Sequence, residues 1–337
     1  MTERKQAGAL MARESAEAPA VFARAATADH RAALERTGVT DLHAILTIAR
    51  GSSDAAASVL AYEFMRETGL PMTSLPPSVF SLGEGVRMDG TLALLISQSG
   101  ASDDLVRSAR GARAKGGKVV AITNAPASAV EAEADATLPI DAGEERAVPA
   151  TKTVIGSVGA GMALLAALVP AYAARATASA ETLQNIKLDH PESARLQAIL
   201  LRAQHVYVIG RDTGFGAAQE VALKLKECCA LHAEAYSASE VLHGPLQLVS
   251  RQLTVILLDT EAGEVQESLD TAEQRFTEKR ADVIRLRPSD VGALDLTPAA
   301  AAAALLAMIY PVVLATAVAL GHDPDAPDTL SKVTRTT

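Results

Sequence analysis

The residues best suited to bind an anion follow the apolar run Leu92–Ile96 and precede a helical pattern. A short run that is apolar throughout is typical of a strand buried on both faces, as in a parallel sheet. In such sheets ligands bind at the carboxyl ends of the strands, where helix N-termini offer free N–H groups to a phosphate. Simple capping of the helix by Ser102 or Asp103 is the alternative. The hydroxyls that favour phosphate binding are those of Ser97, Ser99 and Ser102.

A second pair of hydroxyls, Ser52 and Ser53, ends the first predicted strand of the same half of the chain. Because the carboxyl ends of parallel strands meet at one edge of a sheet, we expect the two loops to converge. Each helix N-terminus contributes roughly 0.3–1 kcal/mol to a nearby anion, and each charge-assisted hydrogen bond about 1.5–3 kcal/mol. The two loops together therefore predict a site that binds a monophosphate without a lysine.

Acids, lysines and histidines are concentrated in a second region, between Glu220 and Pro245. Glu220 and Lys224 stand four residues apart in the orientation that favours an ion pair on a helix, so a solvated, salt-bridged face is one explanation. His243 precedes Gly-Pro and must lie on a loop or at a helix end, because Pro245 cannot continue a helix. These residues alone leave a site and a solvated face equally open.

Composition excludes several classes of protein. The formal charge of −9 comes without a basic stripe, which argues against a nucleic-acid partner. No dinucleotide fingerprint, P-loop or metal-ligand spacing occurs, so we expect no cofactor and no metal.

The adjacent Cys228 and Cys229 are poorly placed to pair with each other, which favours a reducing, cytoplasmic setting. No secretory signal opens the chain. The apolar run from Pro298 to Leu320 is rich in alanine and interrupted by Pro311, so we expect a buried helix and no membrane span.

The chain also repeats itself. Leu46–Ser52 resembles Tyr207–Thr213 at an offset of 161, and the strand Leu92–Ile96 resembles Leu253–Leu257 at the same offset. Strands that alternate with helical segments predict a parallel sheet. The fold class is therefore α/β, with two tandem doubly wound parallel-sheet subdomains arranged as αβα sandwiches. The expected limits are a helical segment at 1–37, subdomains at 38–175 and 195–320, and a C-terminal tail at 321–337.

These residues resemble the sugar isomerase (SIS) domain family over nearly the whole chain, from about Met11. The resemblance rests on the Ser-Gln-Ser-Gly loop at 97–100 and on the block from Leu223-Lys-Leu-Lys-Glu227 through His232-Ala-Glu-Ala-Tyr236 to His243-Gly-Pro245. The nearest resemblance is to the isomerase half of glucosamine-6-phosphate synthase. The tail Leu330-Ser331-Lys332 also resembles that of the family.

The resemblance implies a role for each matching residue. Glu227 resembles the base that moves a proton between C1 and C2, and Lys224 a neighbour that tunes it. His243 resembles a ring-opening histidine that the other subunit of a dimer supplies. Lys332 resembles a tail lysine that contacts the open-chain sugar and can form an imine with the ketose. Val148 lies in the stretch that resembles a sugar-contacting turn, with Thr151 and Lys152 after it. The implied phosphate contacts are Ser52, Ser53, Ser97, Gln98, Ser99 and Ser102.

Departures from the synthase pattern favour a deaminase. Ala101-Ser102 replaces a Glu-Thr pair, Pro149-Ala150 replaces small residues and a serine, and the ending from Lys332 to Thr336 looks more like the stand-alone deaminases. No amidotransferase half with an N-terminal nucleophilic cysteine is expected. The expectation is a homodimer with a shared active site that converts glucosamine 6-phosphate to fructose 6-phosphate and ammonia. A glutamine-independent synthase, a galactosamine-6-phosphate or fructosamine deaminase, and a non-catalytic sugar-phosphate sensor are the alternatives.

Overall fold

Two parallel β-sheets with helices around them form the architecture, which confirms the predicted α/β class with tandem sheets. The computed structural model describes residues 6–250 and 252–332, without the side chain of Ser250. The strands are β1 (Ala44–Ile48), β2 (Met72–Ser74), β3 (Thr91–Ser97), β4 (Lys118–Thr123), β5 (Ala136–Pro139), β6 (Val206–Gly210), β7 (Ala233–Ser237), β8 (Thr254–Leu258) and β9 (Asp282–Leu286).

Twelve α-helices and five short 3-10 helices lie in the described part of the chain. The α-helices are α1 (Ala9–Ala26), α2 (Arg31–Arg36), α3 (Ser52–Thr68), α4 (Ser78–Ser81), α5 (Asp103–Ala114), α6 (Ala129–Ala132), α7 (Lys152–Leu168), α8 (Ala173–Gln184), α9 (Ser193–Leu200), α10 (Thr213–Cys229), α11 (Gln266–Glu278) and α12 (Pro298–Ala319). The 3-10 helices are Pro170–Tyr172, Glu240–His243, Pro245–Ser250, Gly263–Val265 and Pro288–Val291.

The chain divides into two compact units, each with one sheet. The five-strand unit comprises Ala20–Gly143 and Thr153–Gln184, and the four-strand unit comprises 6–19, Glu144–Lys152 and Asn185–Lys332. The subdomain limits inferred from the sequence stay a prediction. Of the predicted tail at 321–337, residues 333–337 lie outside the described residues.

The two sheets share the order of four strands, as the internal repeat predicts. Strand order is β2-β1-β3-β4-β5 in one sheet and β7-β6-β8-β9 in the other, with every neighbouring pair parallel. In the five-strand unit Leu92 to Ile96 have no exposed surface, as expected for a strand covered on both faces. The carboxyl ends of β1 and β3 lie side by side, since Ile48 pairs with Leu95. This edge holds both serine loops.

Helix α12 packs on α10 and α9 inside the four-strand unit. It is long and apolar enough to cross a membrane by composition, but 78% of its most apolar window is buried within the protein. Buried core helices can have the same length and apolar composition as a membrane-spanning helix, so burial in the core accounts for the composition of α12. The sequence suggested that Pro311 interrupts this run, but the helix continues through Pro311 to Ala319.

The turn from β6 into α10 leaves no room for a side chain at Gly210. A Cβ placed there would lie 2.0 Å from the Gly214 carbonyl oxygen, which is backbone and cannot rotate away. We expect Gly210→Ala to lower the free energy of unfolding by about 1–3 kcal/mol or more, as overpacking does. Urea unfolding followed by circular dichroism measures the change.

Gly263→Ala is the matched control, because a Cβ at that position would meet nothing within 4 Å. Equal stability of the two variants would show that the β6–α10 turn relaxes freely and does not fix the start of α10.

Candidate active site

The first group of candidate residues lies on the loop that follows β3. Ser97 is the last residue of β3 and is 5% exposed, and its Oγ accepts a 3.1 Å hydrogen bond from the Gly100 N–H. The Oγ of Ser99 accepts a weaker bond, 3.4 Å long, from the Ala101 N–H. Gln98 is half-buried and its carbonyl oxygen accepts from the Asn124 N–H. These hydrogen bonds fix the shape of the loop.

Gly100 fixes the shape of this loop. Its φ of 57° lies in the left-handed region, and a Cβ there would lie 2.1 Å from the Ser128 Oγ. The Gly100 carbonyl oxygen also accepts a 2.9 Å bond from the Val130 N–H. A side chain at position 100 would thus displace both the loop and the start of α6.

Ser102 occupies the N-cap position of α5, but its hydroxyl accepts no hydrogen bond from the helix. Simple capping, the alternative explanation of this serine, is therefore not what the side chain does. Asp103 is not the cap either, because the helix begins with it.

The sequence suggested that Ser52 and Ser53 end the first strand, but they are the first two residues of α3. The preceding Gly51 has a φ of 54°, which turns the chain sharply from β1 into the helix. Both serines are half-buried at the edge where β1 and β3 end. The predicted phosphate ligands thus all lie in the five-strand unit, whereas Val148, whose expected contact is with the sugar, lies in the four-strand unit.

The second group centres on Lys224, whose side chain is buried on α10 in the four-strand unit. Its Nζ lies 2.6 Å from Glu227 Oε2 and 3.4 Å from Glu220 Oε1. Side-chain exposure is 1% for Lys224, 0% for Glu220 and 28% for Glu227. The solvated, salt-bridged face considered from the sequence is therefore wrong, because Glu220 and Lys224 are inside the protein.

Charge around Lys224 keeps it protonated. Burial alone would lower the pKa of Lys224, but the carboxylates of Glu220 and Glu227 outweigh burial and raise it above the ordinary lysine value. Tyr310 of α12 donates a 3.2 Å hydrogen bond to Glu220 Oε1, and burial followed by Glu220 raises the pKa of this phenol. The cluster is a neutral phenol, two carboxylates and one ammonium.

Glu227 reaches the surface of this cluster. Its side chain lines a cavity of about 520 Å³ whose other walls are the end of α10 and residues of 321–330. A carboxylate that is held by a buried cation on one side and open to a cavity on the other can take a proton from a bound molecule. Glu227 therefore has the geometry that general base catalysis requires.

The tail lysine lies on the segment that contains Val148. Lys332 Nζ donates a 2.6 Å hydrogen bond to the Ala147 carbonyl oxygen and lies 3.6 Å from Glu145 Oε2. Burial lowers the pKa of Lys332, although Glu145 and Glu14 oppose the shift. A lysine with a lowered pKa loses its proton at a lower pH than an exposed one, so more of it is a nucleophilic amine near neutral pH.

Two buried acids hold the turn under Lys332. Glu14 of α1 accepts hydrogen bonds from the backbone N–H groups of Arg146 (2.6 Å) and Ala147 (3.1 Å). Glu145 accepts from the N–H of Thr151 at 2.9 Å, and Lys152 pairs with Glu17 at 2.6 Å. Half-buried Val148 follows directly on Ala147, so its position is fixed by these contacts.

His243 is apart from this cluster. It ends the 3-10 helix Glu240–His243, at a helix end as its Gly-Pro neighbour predicted, and its side chain is exposed. In the described chain no hydrogen bond or ion pair joins it to Glu227 or Lys332. The expected source of histidine at the site, a second subunit, remains a prediction.

Three residues of the four-strand unit were missed from the sequence: Glu14, Glu145 and Tyr310. Tyr310 had a signal, since it is the only hydroxyl-bearing residue between Pro298 and Ala315 of an otherwise apolar run. The two glutamates had none, because each stands among ordinary surface-like residues and is buried only by contacts made over long sequence separations.

The two cysteines are structural. Cys228 and Cys229 are free thiols buried on α10, and burial raises the pKa of each to about 12. A thiol with such a pKa carries almost no thiolate at neutral pH. Across residues 6–250 and 252–332 there is no group of three or more side chains that could hold a metal ion.

The chain is similar to proteins of one known family. The model of the SIS domain matches residues 39–167 and 199–290. Glutamine--fructose-6-phosphate aminotransferase [isomerizing] of Brucella abortus is 31% identical over 316 residues, which cover 85% of this chain and 51% of that protein. The same enzyme of Aeropyrum pernix is 31% identical, with coverages of 86% and 50%. The chain thus spans about half the length of these curated relatives.

Solved structures show the same fold. A structure from Silicibacter pomeroyi, provisionally described as a phosphosugar isomerase, is 32% identical with a TM-score of 0.81, and the match covers 94% of this chain and 99% of that one. Glucosamine-6-phosphate deaminase from Thermotoga maritima has a TM-score of 0.78 at 21% identity, with coverages of 97% and 100%. At that identity the second match shows the fold alone.

Removal of the buried cation tests how far the cluster stabilises α10. We expect Lys224→Met to lower the free energy of unfolding by about 3–5 kcal/mol, because it leaves the buried Glu220 carboxylate without its cation. Urea unfolding measures the loss, and Glu220→Gln added to Lys224→Met should recover part of it.

Lys226→Met is the control, since Lys226 is exposed on the same helix and should change stability by no more than about 0.5 kcal/mol. If both methionine variants unfold at the same urea concentration, the Lys224 ion pairs do not stabilise the helix.

Proposed function

The chain belongs to the SIS domain family, and from this membership we propose that it is an enzyme acting on a phosphorylated amino sugar. The proposed activity is that of a glucosamine-6-phosphate deaminase, which isomerises the 2-amino aldose and hydrolyses the resulting imine. The observation that carries the proposal is the position of Glu227, held by buried Lys224 and open to a cavity.

The reaction balances with water as the only co-substrate. In the open-chain sugar a base removes the C2 proton, the electrons form an enolamine, and the same proton returns to C1. The carbonyl oxygen on C1 gains a proton and becomes a hydroxyl, while the amino group on C2 loses a proton and becomes an imine. Water then adds to C2 and ammonia leaves, which gives fructose 6-phosphate.

Glu227 is the proposed proton carrier of this reaction. A transfer between neighbouring carbons needs one carboxylate that reaches both, and it must be ionised before the first step. Lys224 Nζ lies 2.6 Å from Glu227 Oε2 and holds the carboxyl group in place. Glu220 and Tyr310 hold Lys224 in place from the buried side.

Lys332 and Val148 are the proposed contacts to the sugar carbons. The Nζ of Lys332 is held by the Ala147 carbonyl, one residue from Val148. Its lowered pKa suits an amine that attacks the carbonyl carbon of a ketose and forms an imine with loss of water. The proposed phosphate ligands are the hydroxyls and amide of the two loops at the end of β1 and β3.

A deaminase is favoured over a synthase by the Ala101-Ser102 pair that follows the phosphate loop, where the synthase pattern has Glu-Thr. A glutamine-independent synthase and deaminases specific for galactosamine 6-phosphate or fructosamine would use the same base. A non-catalytic sensor of sugar phosphates would not need Glu227, Lys224 and Lys332 together. The reducing cytoplasm is the proposed compartment, in keeping with two free thiols.

Ammonia release from glucosamine 6-phosphate tests the activity. We expect turnover by the unaltered protein and a fall in kcat by a factor on the order of 10²–10⁴ in Glu227→Gln, which removes the base and keeps its shape. A coupled assay for ammonia, run on a panel of amino-sugar phosphates, measures both activity and epimer preference.

Lys187→Met serves as the control, because Lys187 is exposed, does not line the cavity beside Glu227 and has no proposed role. No turnover of any amino-sugar phosphate, together with tight binding of one of them, would support the sensor. Turnover that survives unchanged in Glu227→Gln would exclude Glu227 as the base.

A homodimer with shared sites is the proposed assembly. The exposed His243 lies on a short 3-10 helix and does not contact Glu227 in its own chain. Its proposed place is the active site of the second subunit. Equal amounts of Glu227→Gln and His243→Asn chains, co-refolded, should regain about a quarter of the normal activity, since half of random dimers are mixed and each has one intact site. Mixtures as inactive as the separate variants would indicate that each site uses residues of one chain.

A further inference from the structure

Arg50 is the only basic residue on either of the loops that carry the proposed phosphate ligands, 49–53 and 97–104. It is the second residue after β1 and precedes Gly51, Ser52 and Ser53. Its carbonyl oxygen accepts a 3.1 Å bond from the Ser53 N–H, so the residue is part of the turn that positions both serines.

The guanidinium of Arg50 is directed to the other loop. Its Nε donates to Oδ2 of Asp104, which lies in the first turn of α5 and is 1% exposed. One side chain therefore connects the loop after β1 with the helix that begins after the β3 loop. Both contacts lie within the five-strand unit.

The contact between Arg50 and Asp104 uses only part of each group. An arginine that meets a carboxylate side by side donates two parallel bonds, one to each oxygen. Here only Nε donates, and Oδ1 of Asp104 is buried without a hydrogen-bond partner. Within the described chain neither Nη of Arg50 has a hydrogen-bond partner, and 47% of the side chain is exposed. Both Nη groups are therefore open to a ligand at this edge of the sheet.

The repeated half of the chain supplies an internal comparison. Arg211 follows β6 as Arg50 follows β1, but its Nη1 donates to Ser237 Oγ at 2.9 Å and to Ser239 Oγ at 2.7 Å, near the end of β7. The helix after β8 begins with Gln266 and offers no buried carboxylate in its first turn. Asp104 thus distinguishes the two turns and directs Arg50 toward the serine loop.

Charge balance also requires a cation here. The first turn of α5 contains Asp103 and Asp104, and a phosphate dianion at this helix N-terminus would meet both carboxylates. Arg107 pairs with Asp103 at 2.8 Å on the exposed side. Arg50 neutralises the buried Asp104 through Nε, and its two Nη groups remain available as hydrogen-bond donors.

We propose that Arg50 is a phosphate-binding residue, oriented by Asp104 so that its Nη groups donate to the phosphate of the sugar substrate. The inference deepens the proposed function, on which it rests for the identity of the sugar. It adds a charge-assisted contact to a loop whose other side-chain donors are neutral. Guanidinium donors suit a phosphate because two N–H groups meet two oxygens.

Calorimetric titration with inorganic phosphate tests the proposal without turnover. We expect Arg50→Met to weaken phosphate binding about tenfold or more, and Arg50→Lys to weaken it less, because a lysine keeps the charge and loses the planar donors. Arg107→Met is the control, since it removes one positive charge from α5, the helix that carries Asp104, and its affinity should stay within about twofold of the unaltered protein.

The variant Arg50→Met/Asp104→Asn separates direct binding from neutralisation of Asp104. Direct donation predicts that phosphate binding stays weak when both charges are gone. Phosphate affinity equal to that of the unaltered protein, in Arg50→Met or in the double variant, would overturn the proposal. If Arg50→Met does not fold, Arg50→Lys decides, with unchanged affinity as the contrary result. If the unaltered protein deaminates no amino sugar but Arg50→Met still weakens phosphate binding, the proposed function is rejected and the role of Arg50 is retained.

Discussion

The buried ammonium of Lys224 is the interaction on which the four-strand unit depends. A lysine that is 1% exposed is tolerated only with carboxylates beside it, because an unpaired charge inside a protein costs several kcal/mol. Glu220 and Glu227 are on the same helix, four and three residues away, so α10 carries the whole ion-pair set itself. Helix α12 must then cover it closely, which explains its run of alanines and the placement of Tyr310 against Glu220.

The duplicated architecture separates the roles of the two sheets at their strand ends. β3 ends in Ser97 and is followed by a loop with two further serines, whereas β8 is followed by the buried Asp259. Asp259 accepts the N–H of Glu261 at 2.8 Å and is paired with the guanidinium of Arg285 at 2.8 Å. The carboxylate thus places an anion of the chain itself at the end of β8. The same fold therefore carries different side chains at corresponding strand ends of the two units.

Sequence patterns predicted much of this because they act locally. The apolar run at β3, the serine-rich turn after it and the helix that follows are each specified by neighbouring residues, and the repeat predicted two sheets. Burial of Lys224 could not be predicted in the same way. The spacing of Glu220 and Lys224 shows that they share one face of a helix, but the side that faces the core is set by α12, some eighty residues further on. Glu14 and Glu145 had no signal for the same reason. Which residue Arg50 pairs with was equally hidden, since Asp104 comes 54 residues later.

The tail lysine shows how far such distant contacts determine the site. Asp323 accepts the N–H of Gly8, and Asp325 accepts those of Leu10 and Met11, so residues near the C-terminus cap the first turn of α1. One turn later on the same helix, Glu14 holds the backbone of Arg146 and Ala147. Lys332 then donates to the Ala147 carbonyl. Helix α1 therefore fixes both the segment that leads to Lys332 and the turn that receives it. The position of the lysine is thus set by contacts within the folded chain.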